Sequence, residues 1–422
     1  MLEYAARVRA SMNAISIPLD PARVKAADAV SAAIHRPRLE SVDLLRGIIM
    51  IIMALDHTRD FFTNAAFLPN DLSQTTPAYF FTRWITHFCA PVFFLLTGTG
   101  AYLSLHRKSK RELSRFLLTR GLWLIFLDAV VLRCLAMQFN FDFHVTFLIV
   151  LWTLGWSMIV LALLVYLPDM VVAAFGILLI AGHNLLDSLD PSSFGRFAPL
   201  WSILHVPGLV SANPQHIVAV AYPLIPWVGV TAVGYVLGRI FAWPPDRRKA
   251  FLLRLGLALI AAFIVIRAVN IYGDPVPWAP QKSALFTILS FLNTTKYPPS
   301  LLFLLMTLGP ALLFLRAVDN RTPQFLRPAL VYGKVPLFYY VVHFPLIHLM
   351  AVAVCAIRYG HIYWMFQSPT LDQYPFTRPP VWGFRLPAVY LIWACVVIAL
   401  YPVCRWYAAL KRRSSNPWLS YL

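Results

Sequence analysis

The sequence predicts an all-α polytopic membrane protein, a bundle of about ten transmembrane helices with both termini cytoplasmic. Three observations predict it. Apolar residues make up 59% of the 422 positions and charged residues only 13%, against about 45–50% and 25% in soluble domains. Apolar stretches near the ~20 residues needed to cross a bilayer recur along the chain. The connections between them alternate between basic and cation-poor, which is the pattern of positive-inside topology.

In chain order, the predicted spans cover residues 44–62, 78–105, 116–137, 145–167, 170–186, 216–241, 252–271, 298–315, 331–356 and 386–407. The stretch 284–292 is too short to cross alone and is either re-entrant or raises the count to eleven. Basic connections follow the second span (Arg107, Lys108, Lys110, Arg111, Arg115), the sixth (Arg239, Arg247, Arg248, Lys249) and the eighth (Arg316, Arg321, Arg327). The tail adds Arg405, Lys411, Arg412 and Arg413. The long connections 187–215 and 359–385 are poor in Lys and Arg and rich in aromatic residues such as Trp201, Tyr363, Trp364 and Trp382, as an interfacial belt or a sugar platform would be.

Residues 1–37 carry charges and Pro18, Pro21 and Pro37, without the apolar core and cleavage site of a signal peptide. They read as a cytosolic, partly helical extension ahead of a membrane domain at 38–410 and a basic tail at 411–422. The net charge of +18 sits in the short loops and serves topology, with no nucleic-acid motif beside it. The five cysteines form no CxxC pair, so neither a disulfide framework nor a metal site is expected.

Ionisable groups inside spans are costly and tend to be functional. Arg46 and His57 are eleven residues apart, about three turns, so they share one helix face about 16 Å apart. Asp43 lies one turn before Arg46, and Asp60 one turn after His57, with Asp56 adjacent. His87 is followed four residues on by Pro91, which deprives the His87 carbonyl of its helical donor and breaks the helix. His343 precedes Pro345, which is expected to open that helix as well. Asp128 and the Tyr339–Tyr340 pair are candidates to line the same space. A histidine is the natural general base near neutral pH, and Asp60 is placed to orient its ring. No GxSxG, HExxH or P-loop occurs, so serine or zinc hydrolysis is not supported, and a general base without its own nucleophile suggests group transfer onto an acceptor.

Four segments in order, "RLESVDLLRGIIMIIMALDHTRDFF" (38–62), "YPLIPWVGVTAVGYVLGR" (222–239), "TTKYPPSLLFLLMTLGP" (294–310) and "GKVPLFYYVVHF" (333–344), resemble the bacterial branch of the heparan-α-glucosaminide N-acetyltransferase-like membrane proteins. The Arg46-x10-His57 pattern is also similar to that of membrane acyltransferases acting on surface polysaccharides. The resemblance implies transfer of an acyl group, acetyl in the first instance, from acetyl-CoA at the cytosolic face to a sugar or glycan on the other side of a bacterial inner membrane. It implies His57 as the catalytic histidine with Arg46 as its partner, Arg120 as the basic residue of the third span, and His343 as the histidine late in the bundle. In the lysosomal member an asparagine ends the first span and the catalytic histidine lies beyond it. Here His57 occupies that place and the next histidine is His87, so the catalytic role stays open between histidines.

The expected assignment is therefore His57, Asp60 and His343 in the chemistry. Arg46, Arg120, Lys334 and Arg239 are expected at the phosphates of acetyl-CoA, and His87, Asp56, Tyr339 and Tyr340 around the acceptor, with no metal. The expected partners are the lipid bilayer, the acyl-CoA and the glycan, with oligomerisation left open because no GxxxG face stands out. Two other readings stand beside it: a transporter or flippase of a lipid-linked or small sugar, and a family member without catalytic activity.

Overall fold

Helices dominate because nearly every apolar run lies where the backbone must satisfy its own hydrogen bonds. The computed structural model describes residues 39–414, 416, 419, 421 and 422, so the expected N-terminal extension lies outside the described residues. The helices are α1 (Glu40–Phe62), α2 (Pro77–Thr86), α3 (Cys89–Ser104), α4 (Lys110–Phe126), α5 (Val150–Leu164), α6 (Asp169–Gly182), α7 (Ala198–Leu204) and α8 (Leu224–Leu237). After them come α9 (Pro245–Val269), α10 (Ala284–Leu292), α11 (Leu301–Val318), α12 (Ala329–Lys334), α13 (Pro336–Tyr359) and α14 (Leu386–Arg413). Seven helical segments among the described residues are long and apolar enough to cross a membrane. They correspond to seven of the expected spans. Two of the others, α1 and α4, form helices in the expected places but carry more charge, and α5 has only 15 residues.

Three expectations needed correction. The fourth and sixth apolar runs begin as strands, β1 (Val145–Leu148) and β3 (His216–Val220), which pair in parallel. Together with β2 (Gly208–Asn213) they make a three-stranded sheet in the order β1–β3–β2. Hydropathy alone cannot separate a β-branched strand from the helix that follows it, and Pro223 marks the join. The ninth run is split at Val335 into α12 and α13, with Pro336 opening the second helix. Pro345 does not open α13, which continues unbroken to Tyr359. At His87 the helical hydrogen-bond ladder is interrupted between α2 and α3, but His87 and Phe88 keep helical backbone angles and Pro77–Ser104 continues as one segment.

Lipid offers helices no hydrophobic reason to associate, so close packing of small residues takes over. Glycines meet across helix pairs: Gly98 and Gly234 in α3 and α8, Gly121 and Gly155 in α4 and α5, Gly176 and Gly229 in α6 and α8. The tightest approach joins α1 to α12. A methyl group on Gly47 would overlap the Ala329 carbonyl, and one on Gly333 would overlap the Asp43 carbonyl. The centre of the bundle is α8 and α11, whose apolar windows are 72% and 67% buried, while α14 at 17% lies at the periphery.

Candidate functional site

A cavity of about 1150 Å³ opens at the C-terminal end of α1. Its wall is assembled from segments far apart in the chain: the end of α1 with the loop 63–70, α2 with His87, Met137, the start of α5, Tyr222 ahead of α8, Val276, the loop residues 293–297, and α13 with the loop 372–378.

Two histidines meet at this wall. His57 Nδ1 lies 2.7 Å from His343 Nε2, and His343 Nδ1 lies 2.7 Å from the Tyr340 carbonyl and 3.1 Å from that of Tyr339. A carbonyl only accepts, so His343 Nδ1 carries its proton. The Nε2 of the neutral ring is then an acceptor, and His57 Nδ1–H donates to it. This leaves the His57 Nε2 lone pair uncommitted, on a ring that lines the cavity. Packing holds the pair: His343 is fully buried, and Phe344 stacks on His57 with ring centroids 4.1 Å apart.

Beside them is a network of charges. Asp56 receives both carboxylate contacts from Arg83 Nη1, at 2.7 and 2.5 Å, and a third from Arg59 Nη2 at 2.7 Å. Arg59 also reaches Asp60 at 2.6 Å. Asp60 therefore pairs with Arg59, and His343 occupies the ring-orienting position expected for Asp60. Two guanidinium groups on one carboxylate are what permits charge at this depth.

Lys296 is buried in the loop 293–300, and its ammonium lies over the rings of Tyr297 at 5.1 Å and Tyr222 at 5.9 Å. Four cations (Arg59, Arg83, Lys296, Arg378) face three carboxylates (Asp56, Asp60, Asp372) around the cavity. With neutral histidines the balance favours developing negative charge.

The other expected site residues fall in three groups. His87 lines the cavity, packed on Phe303, and its buried Nδ1 has no hydrogen-bond partner. Tyr340 lines it as well. Tyr339 does not. Its ring stacks on His343, parallel and 5.4 Å away, and its hydroxyl is buried without a hydrogen bond. Asp128 serves as a helix cap, its Oδ2 accepting the Ile149 and Trp152 N–H groups at 3.0 Å.

None of the four cations expected at the donor phosphates lines this cavity. Arg46 pairs with Asp43 at 3.2 Å, three turns of α1 away from His57. Lys334 reaches the same end through the Gly333–Asp43 contact. Arg120 feels the Arg46 charge and lies near Tyr407 and Tyr421. Arg239 is exposed and pairs with Asp169 at 3.5 Å. Three of the four thus gather near the opposite end of α1.

Arg59, Arg83, Lys296, Tyr297 and Arg378 also line the cavity and are not among the residues the sequence singles out. A signal existed for two of them, since Lys296 and Tyr297 sit in the "TTKYPPS" segment that carries part of the family resemblance.

The profile of the family described as heparan-alpha-glucosaminide N-acetyltransferase, catalytic, matches residues 38–273. That stretch includes His57, the Asp56 network and His87, and it ends before Lys296 and His343. No curated protein matches the chain.

Proposed function

This chain belongs to the heparan-alpha-glucosaminide N-acetyltransferase catalytic family, and from that premise we propose that it transfers an acetyl group from acetyl-CoA to a sugar, with His57 as the general base. The protein is an integral membrane acetyltransferase by family and composition. In the proposed arrangement, donor phosphates rest on Arg46, Lys334 and Arg120 at the cytosolic end of α1, and both termini face the cytosol. The thioester reaches His57, and the glycan acceptor enters the cavity from the outer face of a bacterial inner membrane.

The observation that carries this reading is the hydrogen-bond chain from the Tyr340 carbonyl through His343 to His57. It leaves a basic nitrogen directed at a cavity rather than at another protein group. As the acceptor oxygen or nitrogen bonds to the acyl carbon, its proton passes to His57 Nε2. The C–S bond then breaks, and His57 returns the proton to the departing thiolate. Between those events the imidazolium is stabilised by His343 Nε2, which accepts its Nδ1–H, and by the nearby Asp56 carboxylate. Arg83 and Lys296 are the candidates to meet negative charge on the carbonyl oxygen.

Ligand-dependent thermal stability tests the donor. Saturable stabilisation of detergent-purified protein by acetyl-CoA, weakened in Arg46→Ala, supports the reading through mass action. A flat response from folded protein rejects it and favours transport or a family member without activity.

A further inference from the structure

A second cluster lies away from the cavity, where the turn after α6 meets the end of α7. One ligand-capable atom from each of His183, Asp187 and His205 lies within 4.8 Å of the other two. Both histidines are buried, at 2% and 0% exposure. Their hydrogen bonding is incomplete. Neither ring nitrogen of His183 has a partner, and nor does His205 Nδ1. The Pro299 carbonyl comes close to the His183 ring but makes no well-formed hydrogen bond with it. His205 Nε2 donates to the His183 carbonyl at 2.9 Å and faces Asp187 Oδ1 at 3.5 Å. Asp187 is itself steadied by Asn184 Nδ2, 2.7 Å from its Oδ2.

Buried polar atoms in native proteins are nearly always satisfied, so three unpartnered ring nitrogens in one cluster call for an occupant. We propose that His183, Asp187 and His205 bind a divalent transition-metal ion of the zinc class, with water as the remaining ligand. Two imidazoles and a carboxylate are a common zinc donor set. The outer contacts also match: His205 spends one N–H on a backbone carbonyl, which fixes its tautomer and leaves the other nitrogen for metal. A shell of Trp201, 5.1 Å from the His205 ring, and Phe194 stacked on Trp201 covers one side.

The site is positioned to hold the outer face together. Asn184, between the two ligands of the turn, accepts the Leu301 N–H at 2.9 Å. That anchors the loop carrying Lys296 and Tyr297 into the cavity. A metal here therefore braces the cavity wall from behind without touching the reacting groups.

The test uses the full chain in detergent, stripped with chelator and then titrated with Zn²⁺, and in parallel with Co²⁺ as a spectroscopic probe. Expected are about one metal per chain, visible d–d bands for Co²⁺, and a higher melting temperature with Zn²⁺. Asp187→Asn, which removes a partly accessible carboxylate and should preserve the apo fold, is expected to weaken binding at least about tenfold. His183→Ala is expected to abolish it, while His57→Ala leaves it intact. Metal binding that stays unchanged in both Asp187→Asn and His183→Ala overturns the proposal. So does a folded wild-type chain that takes up no metal. Because metal content is the readout, failure here is separate from any failure of acetyl transfer.

Discussion

The Nδ1 of His57 and the Nε2 of His343 meet at 2.7 Å across 286 residues of chain. One helix supplies the proposed base and another sets its tautomer, through a carbonyl that can only accept. Loss of that contact is expected to impair catalysis rather than binding. A hydrogen bond to a group that becomes charged is worth about 1.5–3 kcal/mol, so His343→Ala should lower kcat by roughly ten- to a hundredfold. The KM for acetyl-CoA should change little. Steady-state kinetics with both constants resolved checks this, and an unchanged kcat would remove His343 from the relay.

The Asp56 network makes a stability prediction. Arg83→Ala leaves a mostly buried carboxylate with Arg59 as its remaining close ion-pair partner, and breaking such a pair typically costs about 3–5 kcal/mol. The double substitution Asp56→Ala with Arg83→Ala should cost less than the sum of the two single changes. Thermal denaturation in detergent across the four proteins of that cycle measures the coupling.

At the other end of α1, Gly47 and Gly333 are expected to tolerate no side chain. Backbone carbonyls occupy the space a Cβ needs, so Gly47→Ala or Gly333→Ala must push α1 and α12 apart. Overpacking of this kind costs about 1–3 kcal/mol. Because Lys334 follows Gly333 directly, Gly333→Ala should also weaken acetyl-CoA binding. Melting temperature and acetyl-CoA titration together separate the two effects.

The donor cations should rank by position. Arg46→Ala and Lys334→Ala each remove a charge from the clustered end of α1 and are expected to raise the KM for acetyl-CoA by about tenfold, the scale of a charge-assisted hydrogen bond. Arg239→Ala should have the smallest effect, because Arg239 is exposed and already paired with Asp169. Equal effects at all four positions would point to a diffuse field instead of a site.

The sequence made the bundle and its central histidines legible for one physical reason: charge inside an apolar run is conspicuous. His57, Asp56, His87 and His343 stand out against their neighbours, and all but His343 sit on the cavity wall. Arg59 and Arg83 hide for the opposite reason, because a cation near the end of a span is ordinary. Which carboxylate faces which base depends on helix rotation and rotamers, so spacing alone places Asp60 beside His57 although it pairs with Arg59. The strands at 145–148 and 216–220 extend apolar runs, and only their pairing partner reveals them. Pairings between distant segments, such as His57 with His343 or His183 with His205, have no local signal at all.

The most direct measurement is acetyl transfer by purified His57→Ala protein, followed as thiol release from acetyl-CoA with amino-sugar and glycan acceptors. Removal of a general base is expected to cut the rate by about 10²- to 10⁴-fold while acetyl-CoA still stabilises the folded protein. Wild-type rates from folded His57→Ala protein would contradict the assignment of His57 as the base.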